Sequence, residues 1–270
     1  MTKKSQNIRH NRPHRDAVNA RAERYRIYPA AFVALLLLLW TSICALEIVP
    51  PFMLPSPKDV VSALAADFPL LCEHALVTLL EALIGLSLSV IFGVLTAIVM
   101  DRFKPLYLAI RPVLILSQTV PAVALAPLLV LWMGFGIAPK VLLIFLTCYF
   151  PIAVSTLSGL SAVDPDIVGL LRSMGASSRQ ILLRVKLKAS LESFFAGLKL
   201  ASAYAVVGAV IAEWLGGTRG LGVYMTRVRK SYAFDKMFAA IILISIVSLL
   251  LMKLVDLIHK RAMPWKGNLK

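Results

Sequence analysis

The chain has 270 residues, enough for one or two ordinary domains. Of these 59% are hydrophobic and 16% charged, with a mean hydropathy of +0.80; a soluble domain carries roughly 25% charged residues, so a soluble enzyme is excluded. Yet the formal net charge is +15, from 29 Lys+Arg against 14 Asp+Glu, which leaves a membrane protein with asymmetric loops or a nucleic-acid binder.

The position of the charge decides between those two readings. Residues 1–26 form a basic tail, with eight of the basic residues and few apolar ones. It abuts an apolar run and carries no nucleic-acid-binding fold, so it reads as an orientation signal and an anionic-lipid contact, not as a nucleic-acid site. The first span runs from about Ile27 to Val49. It is too long for a signal-peptide core, and no small-x-small cleavage site follows it. The second span is about Ala75–Met100. The third lies within Leu106–Trp132 and is interrupted by Pro112, Pro121 and Pro127. The fourth is about Ile137–Leu160, the fifth about Leu191–Leu215 and the sixth about Met237–His259. Each is close to the about 20 apolar residues that cross a bilayer as helix.

Six spans put both termini on one side. With the N-terminus inside, segments 1–26, 101–105, 161–190 and 260–270 hold nineteen of the 29 basic residues, against seven outside. The positive-inside rule therefore favours N-in, C-in. The exception is the outer segment 216–236, which carries five basic residues. The expected organisation is a cytoplasmic tail (1–26), a six-helix membrane domain (27–260) and a second cytoplasmic tail (261–270).

Catalysis by this chain alone has no residues to carry it. There is no G-x-x-x-x-G-K-[ST] for ATP and no His-Glu-x-x-His for a metal. None of the four histidines (His10, His14, His74, His259) is mid-membrane. The three cysteines, Cys44, Cys72 and Cys148, are an odd count, which excludes a fully paired intrachain framework. What remains is passage through the membrane or a structural role.

Three features point to passage. In the third span, Gln118 and Thr119 precede Pro121 and Pro127. Interior prolines remove backbone hydrogen bonds, and the freed carbonyls need partners or a water-filled cavity. In the second span, Glu81 lies about 10 Å deep at about 1.5 Å per residue, either facing a pathway or paired with a neighbouring helix. Small residues at four-residue steps (Gly85, Ser89, Gly93; Gly197, Ala201, Ala205, Ala209) read as packing ridges. Glu213 reads as interfacial and Lys199 as snorkelling to the inner surface.

The third feature is the thirty-residue segment 161–190. Asp164 is a helix cap with Pro165 after it. Leu170, Leu171 and Met174 make one apolar face, Gly175 ends the helix, and Leu182, Leu183 and Val185 start another patch. This reads as a docking element, or as an interfacial helix on lipid.

These residues resemble a known family. LLRSMGASSRQILLRVKLKASLESFFAGLKLA is similar to the EAA loop of binding-protein-dependent ABC transporter permeases. Gly175 matches the loop glycine, and Val185 and Leu187 match the I-x-L positions. Gly169, Leu170 and Leu171 replace Glu-Ala-Ala, and Lys188 replaces the proline. LPSPKDVVSAL at 54–64, VPAVALAPLLVLWMGFGIAPKVLLIFLTCYFPI at 120–152 and AEWLGGTRGLGVYM at 212–225 resemble the nitrate, sulfonate and taurine branch. The last, with RSMGAS, is most similar to permeases for thiamine-pyrimidine precursors.

The resemblance implies an all-α type I ABC importer permease in the plasma (inner) membrane of a prokaryote, without enzymatic activity of its own. It implies a second permease subunit as a homodimer partner, a cytoplasmic ATPase dimer that binds the ATP and Mg, and an extracytoplasmic solute-binding protein; no cofactor resides in this chain. Pathway or gate candidates are Glu81, Gln118, Thr119, Pro121 and Pro127. ATPase-coupling candidates are Asp164, Leu170, Leu171, Arg172, Ser173, Met174, Gly175 and Ala176. Binding-protein contacts are Arg227, Arg229 and Lys230. The alternative is a self-contained channel or ion-coupled secondary transporter, which wants more midplane ionisable groups and often internal repeats.

Overall fold

The computed structural model describes residues 12–50 and 52–264, with side chains from Tyr28 onward. Helices dominate, and there is no strand among the described residues. The chain divides into two units, Met1–Ala63 and Leu64–Lys270. In the first, α1 (Arg12–Ala45) contains the Tyr28–Ala45 stretch, apolar enough to cross a membrane, and α2 begins at Pro57 (Pro57–Ala66). Helix α1 passes through position 26 without a break, so the basic tail is not separated from the span. Residues 1–11 and 265–270 lie outside the described residues, and part of each tail with them.

In the second unit, α3 (Phe68–Arg102), α6 (Ile137–Ser161), α9 (Leu187–Gly216) and α11 (Phe234–Ala262) are the long apolar helices. Helix α6 is central and packs along both α3 and α9. The small ridges make this approach possible. A methyl added at Gly85 would lie 2.5 Å from Ile144, and at Gly197 2.5 Å from Ser155. Ala201, Ala205 and Ala209 of α9 are fully buried with Ala82 of α3 and Cys148 and Ile152 of α6. In a bilayer, where lipid is as apolar as leucine, close backbone packing of this kind holds helices together.

The third span differs from its expected form. It is two helices, α4 (Lys104–Ser117) and α5 (Ala122–Met133), bent by 99°. Of its three prolines only Pro121 stands at the break. Pro112 and Pro127 sit inside helices. Proline has no N–H to donate and biases the preceding residue away from helix, which explains a stop at Val120–Pro121. Among the described residues there are thus five helices long and apolar enough to cross, or six if the bent pair is one span.

The inner connection contains α7 (Pro165–Ser173) and α8 (Ser178–Ile181), then a π-helical turn (Leu182–Lys186) leading into α9. The outer connection contains α10 (Leu221–Lys230). Helix α11 runs to Ala262, three residues past the end expected for the sixth span at about His259.

Candidate functional site

The break in the third span opens a cavity of about 270 Å³. Gln118, Pro121 and Leu125 line one side; Thr147 of α6 and Tyr204 and Gly208 of α9 line the other. Two of the five pathway candidates, Gln118 and Pro121, therefore come together. Thr119 is beside them but turns its hydroxyl to the carbonyl of Leu116, at 2.8 Å. Pro127 lines a separate cavity of about 310 Å³, with Trp214 and Met225. Thr147, Tyr204 and Gly208 were not legible as lining residues, because α6 and α9 are apolar nearly all round and their periodicity marks no cavity face.

Glu81 lines none of these cavities. It is 3% exposed, and Lys140 of α6 donates to its Oε1 at 2.6 Å. Its Oε2 has no hydrogen-bond partner among the described residues. Of the two readings of Glu81, the geometry is that of the inter-helix ion pair.

Glu213 stands in the last turn of α9, near the outer end as expected, and is buried within the protein, 1% exposed. Thr78 donates to its Oε1 at 2.7 Å, and the Gly222 N–H to its Oε2 at 2.6 Å. Around it, Leu221 N–H donates to Thr78 Oγ1 and Gly220 N–H to His74 Nδ1, each at 2.9 Å. Glu213, Thr78 and His74 thus each take up one backbone donor where the chain enters α10. Space there is tight: a methyl on Gly222 would sit 2.4 Å from the Val210 carbonyl oxygen. At the same end, Asp67 accepts from Tyr224 at 2.7 Å and pairs with Lys236 at 2.8 Å. These bonds hold the Asp67 carboxyl below the usual carboxylate range, Lys236 contributing most, and burial with the Asp67 bond raises the Tyr224 hydroxyl. On α10, Arg227, Arg229 and Lys230 are exposed, and Arg227 also donates to the Thr218 carbonyl at 2.8 Å.

At the inner end, the Asp164 side chain accepts from Asp166 N–H at 2.8 Å and caps α7 as expected. Gly175 has φ +85°. Its N–H bonds the Arg172 carbonyl while Ala176 N–H reaches back to Leu171, both at 2.9 Å, a Schellman ending. Ile167, Leu170 and Met174 are exposed by 50, 63 and 75% on one face of this segment. Leu171 is half-buried, and Ser173 bonds the Gly169 carbonyl at 3.2 Å. Arg172 turns the other way, into a cavity with the end of α3. Ion pairs Lys186–Asp101 and Lys199–Asp256, at 2.7 and 2.8 Å, tie the inner ends of α3, α9 and α11. Lys199 is thus paired rather than simply snorkelling.

An all-α chain with a central packed helix, a broken span beside a cavity and a structured inner loop has the architecture of a type I ABC importer permease. The permeases of a methionine importer (MetNI) and of an amino acid ABC transporter share this fold. Their TM-scores are 0.65 and 0.61 at 18 and 17% identity, covering 72 and 73% of this chain and 97 and 96% of theirs. The family described as "Binding-protein-dependent transport system inner membrane component" matches residues 89–264, and the chain belongs to that family. It is 36% identical to a probable ABC transporter permease protein of Haemophilus influenzae, over 86% of this chain and 95% of that one. It is 35% identical to the formylaminopyrimidine transport permease protein ThiX of Halalkalibacterium halodurans (88 and 95% covered) and 30% to the taurine transport system permease protein TauC of Escherichia coli (88 and 89%). The chain is a multi-pass integral membrane permease of the ABC transporter type.

Proposed function

We propose that this permease moves a small, uncharged, aminopyrimidine-like solute across a prokaryotic inner membrane, driven by a separate cytoplasmic ATPase. In this reading the ATPase pair binds the ATP and Mg, this chain supplies no cofactor, and a second copy completes the pathway. A solute-binding protein delivers the solute to the outer face, where the exposed Arg227, Arg229 and Lys230 meet its acidic side chains.

The observation that carries the drive is α7. An exposed apolar face, ended by a left-handed glycine, stands at the basic end of the molecule. Apolar surface of this kind is stabilised by covering it, and a groove on a partner ATPase would cover it. Motion of the ATPase would then pass through α7 and the π-turn into α9 as rigid-body movement. The two permease states must lie within a few kcal/mol of each other for bound ligands to switch them.

The cavity supports this solute class. Its lining offers amide, hydroxyl and phenol groups with apolar walls, and no ionised side chain. Such a surface suits a neutral heterocycle better than taurine, a sulfonate or nitrate, whose charge would want a cation. The 35% identity to a formylaminopyrimidine permease points the same way.

Both parts have a test. The full chain should co-purify with a P-loop ATPase from its own cells, and a Leu170→Asp/Met174→Asp variant should lose that ATPase while keeping its thermal unfolding profile. Retention of the ATPase would remove α7 from the coupling role. Cells carrying the chain should take up labelled formylaminopyrimidine in competition with unlabelled aminopyrimidines but not with taurine or nitrate. Competition by the anions alone would reverse the solute assignment.

A further inference from the structure

A further cavity, of about 360 Å³, lies at the inner end between α3, α7 and the start of the π-turn. Its charged lining holds one acid, Asp101, and four bases. Asp101 is engaged by Lys186 through both oxygens, at 2.7 and 2.9 Å. That leaves Arg102, Arg172 and Arg179 around one cavity with no ion pair among the described residues. Arg102, Arg172 and Arg179, all exposed, thus line one cavity from α3, α7 and α8, and like charges gathered around one cavity favour an anion among them. Apart from Ser178, the remaining walls are apolar, Val99, Phe103, Val168 and Leu182 among them.

Depth narrows the ligand. Asp101 and Arg102 end the long apolar run of α3, so the cavity sits where hydrocarbon gives way to headgroups. An anion held there with apolar walls beside it matches a lipid phosphate and its glycerol and upper acyl carbons. A free phosphate would use the arginines and leave the apolar walls idle. We propose that this cavity is a binding site for the phosphodiester headgroup of an anionic phospholipid of the cytoplasmic leaflet.

The site stands behind the docking helix, not on it. Val168 and Arg172, one turn apart on α7, face the cavity; Ile167, Leu170 and Met174 face outward. A lipid bound behind α7 braces it from the membrane side while the other face stays open. The inference does not depend on what covers the outward face, and its failure would leave the ATPase reading untouched.

The test uses the full chain in detergent, by native mass spectrometry, with phosphatidylglycerol, phosphatidylcholine and inorganic phosphate as probes. The wild-type chain should retain phosphatidylglycerol in preference to phosphatidylcholine. Arg172→Gln/Arg179→Gln should weaken that retention by roughly thirtyfold, on the order of one surface cation's worth per arginine. Arg184→Gln/Lys188→Gln, an equal charge loss on exposed side chains outside the cavity, should leave it within about twofold. Equal retention of the two lipids by the wild-type chain would overturn the site, and this needs no variant to fold. Equal loss in the two double variants would also overturn it, by reducing it to general electrostatics. Binding of inorganic phosphate without retention of phosphatidylglycerol would replace the lipid by a soluble anion.

Discussion

The two ends of the membrane domain are built in opposite ways. At the outer end, the buried polar groups around the loop entering α10 are committed to one another: Glu213 to Thr78 and Gly222, His74 to Gly220, Asp67 to Tyr224 and Lys236. Glycines there are pressed against their neighbours. At the inner end, α7 leaves apolar side chains in the open, and nothing lies within 4 Å of where a methyl on Gly175 would be. An end that satisfies its own loop moves as one piece with the helices. An end that leaves surface uncovered is made to be completed by something else. In the proposed function, with energy entering from the inner side, this asymmetry is what an importer would need.

The largest test of the outer end removes one partner of its buried ion pair. Lys140→Met should destabilise the chain by about 3–5 kcal/mol, because it strands the Glu81 carboxylate in a site only 3% exposed. Glu81→Gln/Lys140→Met should recover most of that loss, since replacing both members leaves no unpaired charge. Thermal unfolding in detergent reads both. A double variant as unstable as the single one would mean that the pair positions helices in a way its charges do not explain.

A pair of glycine substitutions compares the ends directly. Gly222→Ala must displace the Val210 carbonyl, 2.4 Å from the new methyl, and should cost about 3 kcal/mol. Gly175→Ala meets no neighbour and should cost only about 1–2 kcal/mol, from placing a side-chain-bearing residue at φ +85°. Equal costs would show that the outer end is no tighter than the inner.

Much of this molecule was legible in the sequence, for reasons that also mark the limit. Apolar runs of bilayer length found the long helices, and four-residue steps of small residues found the ridges on α3 and α9. The Asp164 cap and the Gly175 ending are local, and both stand as read. The polar latch was not legible. Glu213 meets Thr78 across 135 residues of sequence and Glu81 meets Lys140 across 59. Read locally, Glu213 is an acid near a helix end, which is why it was placed at the interface. The 99° break was legible only as a proline, since three prolines offered a break and the sequence does not say that Pro112 and Pro127 keep their helices intact. Arg172 belongs to the docking segment in sequence but faces the opposite side of α7, a distinction that needs the cavity to be seen.

The smallest expected effect concerns Asp67, at the rim of the outer end. Its folded carboxyl titrates below the ordinary value of about 3.9, held down first by Lys236 and then by Tyr224. The unfolded chain therefore binds this proton at a higher pH than the folded one. The stabilising contribution is complete above the ordinary carboxylate value and disappears as pH falls through the lower, folded one. Lys236 is partly exposed, so solvent screens the pair, and Asp67→Asn should cost no more than about 1 kcal/mol at neutral pH. The gap in melting temperature between wild type and Asp67→Asn should close as the pH is taken below about 4. A gap that persists in acid would mean that Asp67 acts by shape, through the hydrogen bond to Tyr224, and that charge contributes to the outer latch only at the buried Glu81–Lys140 pair.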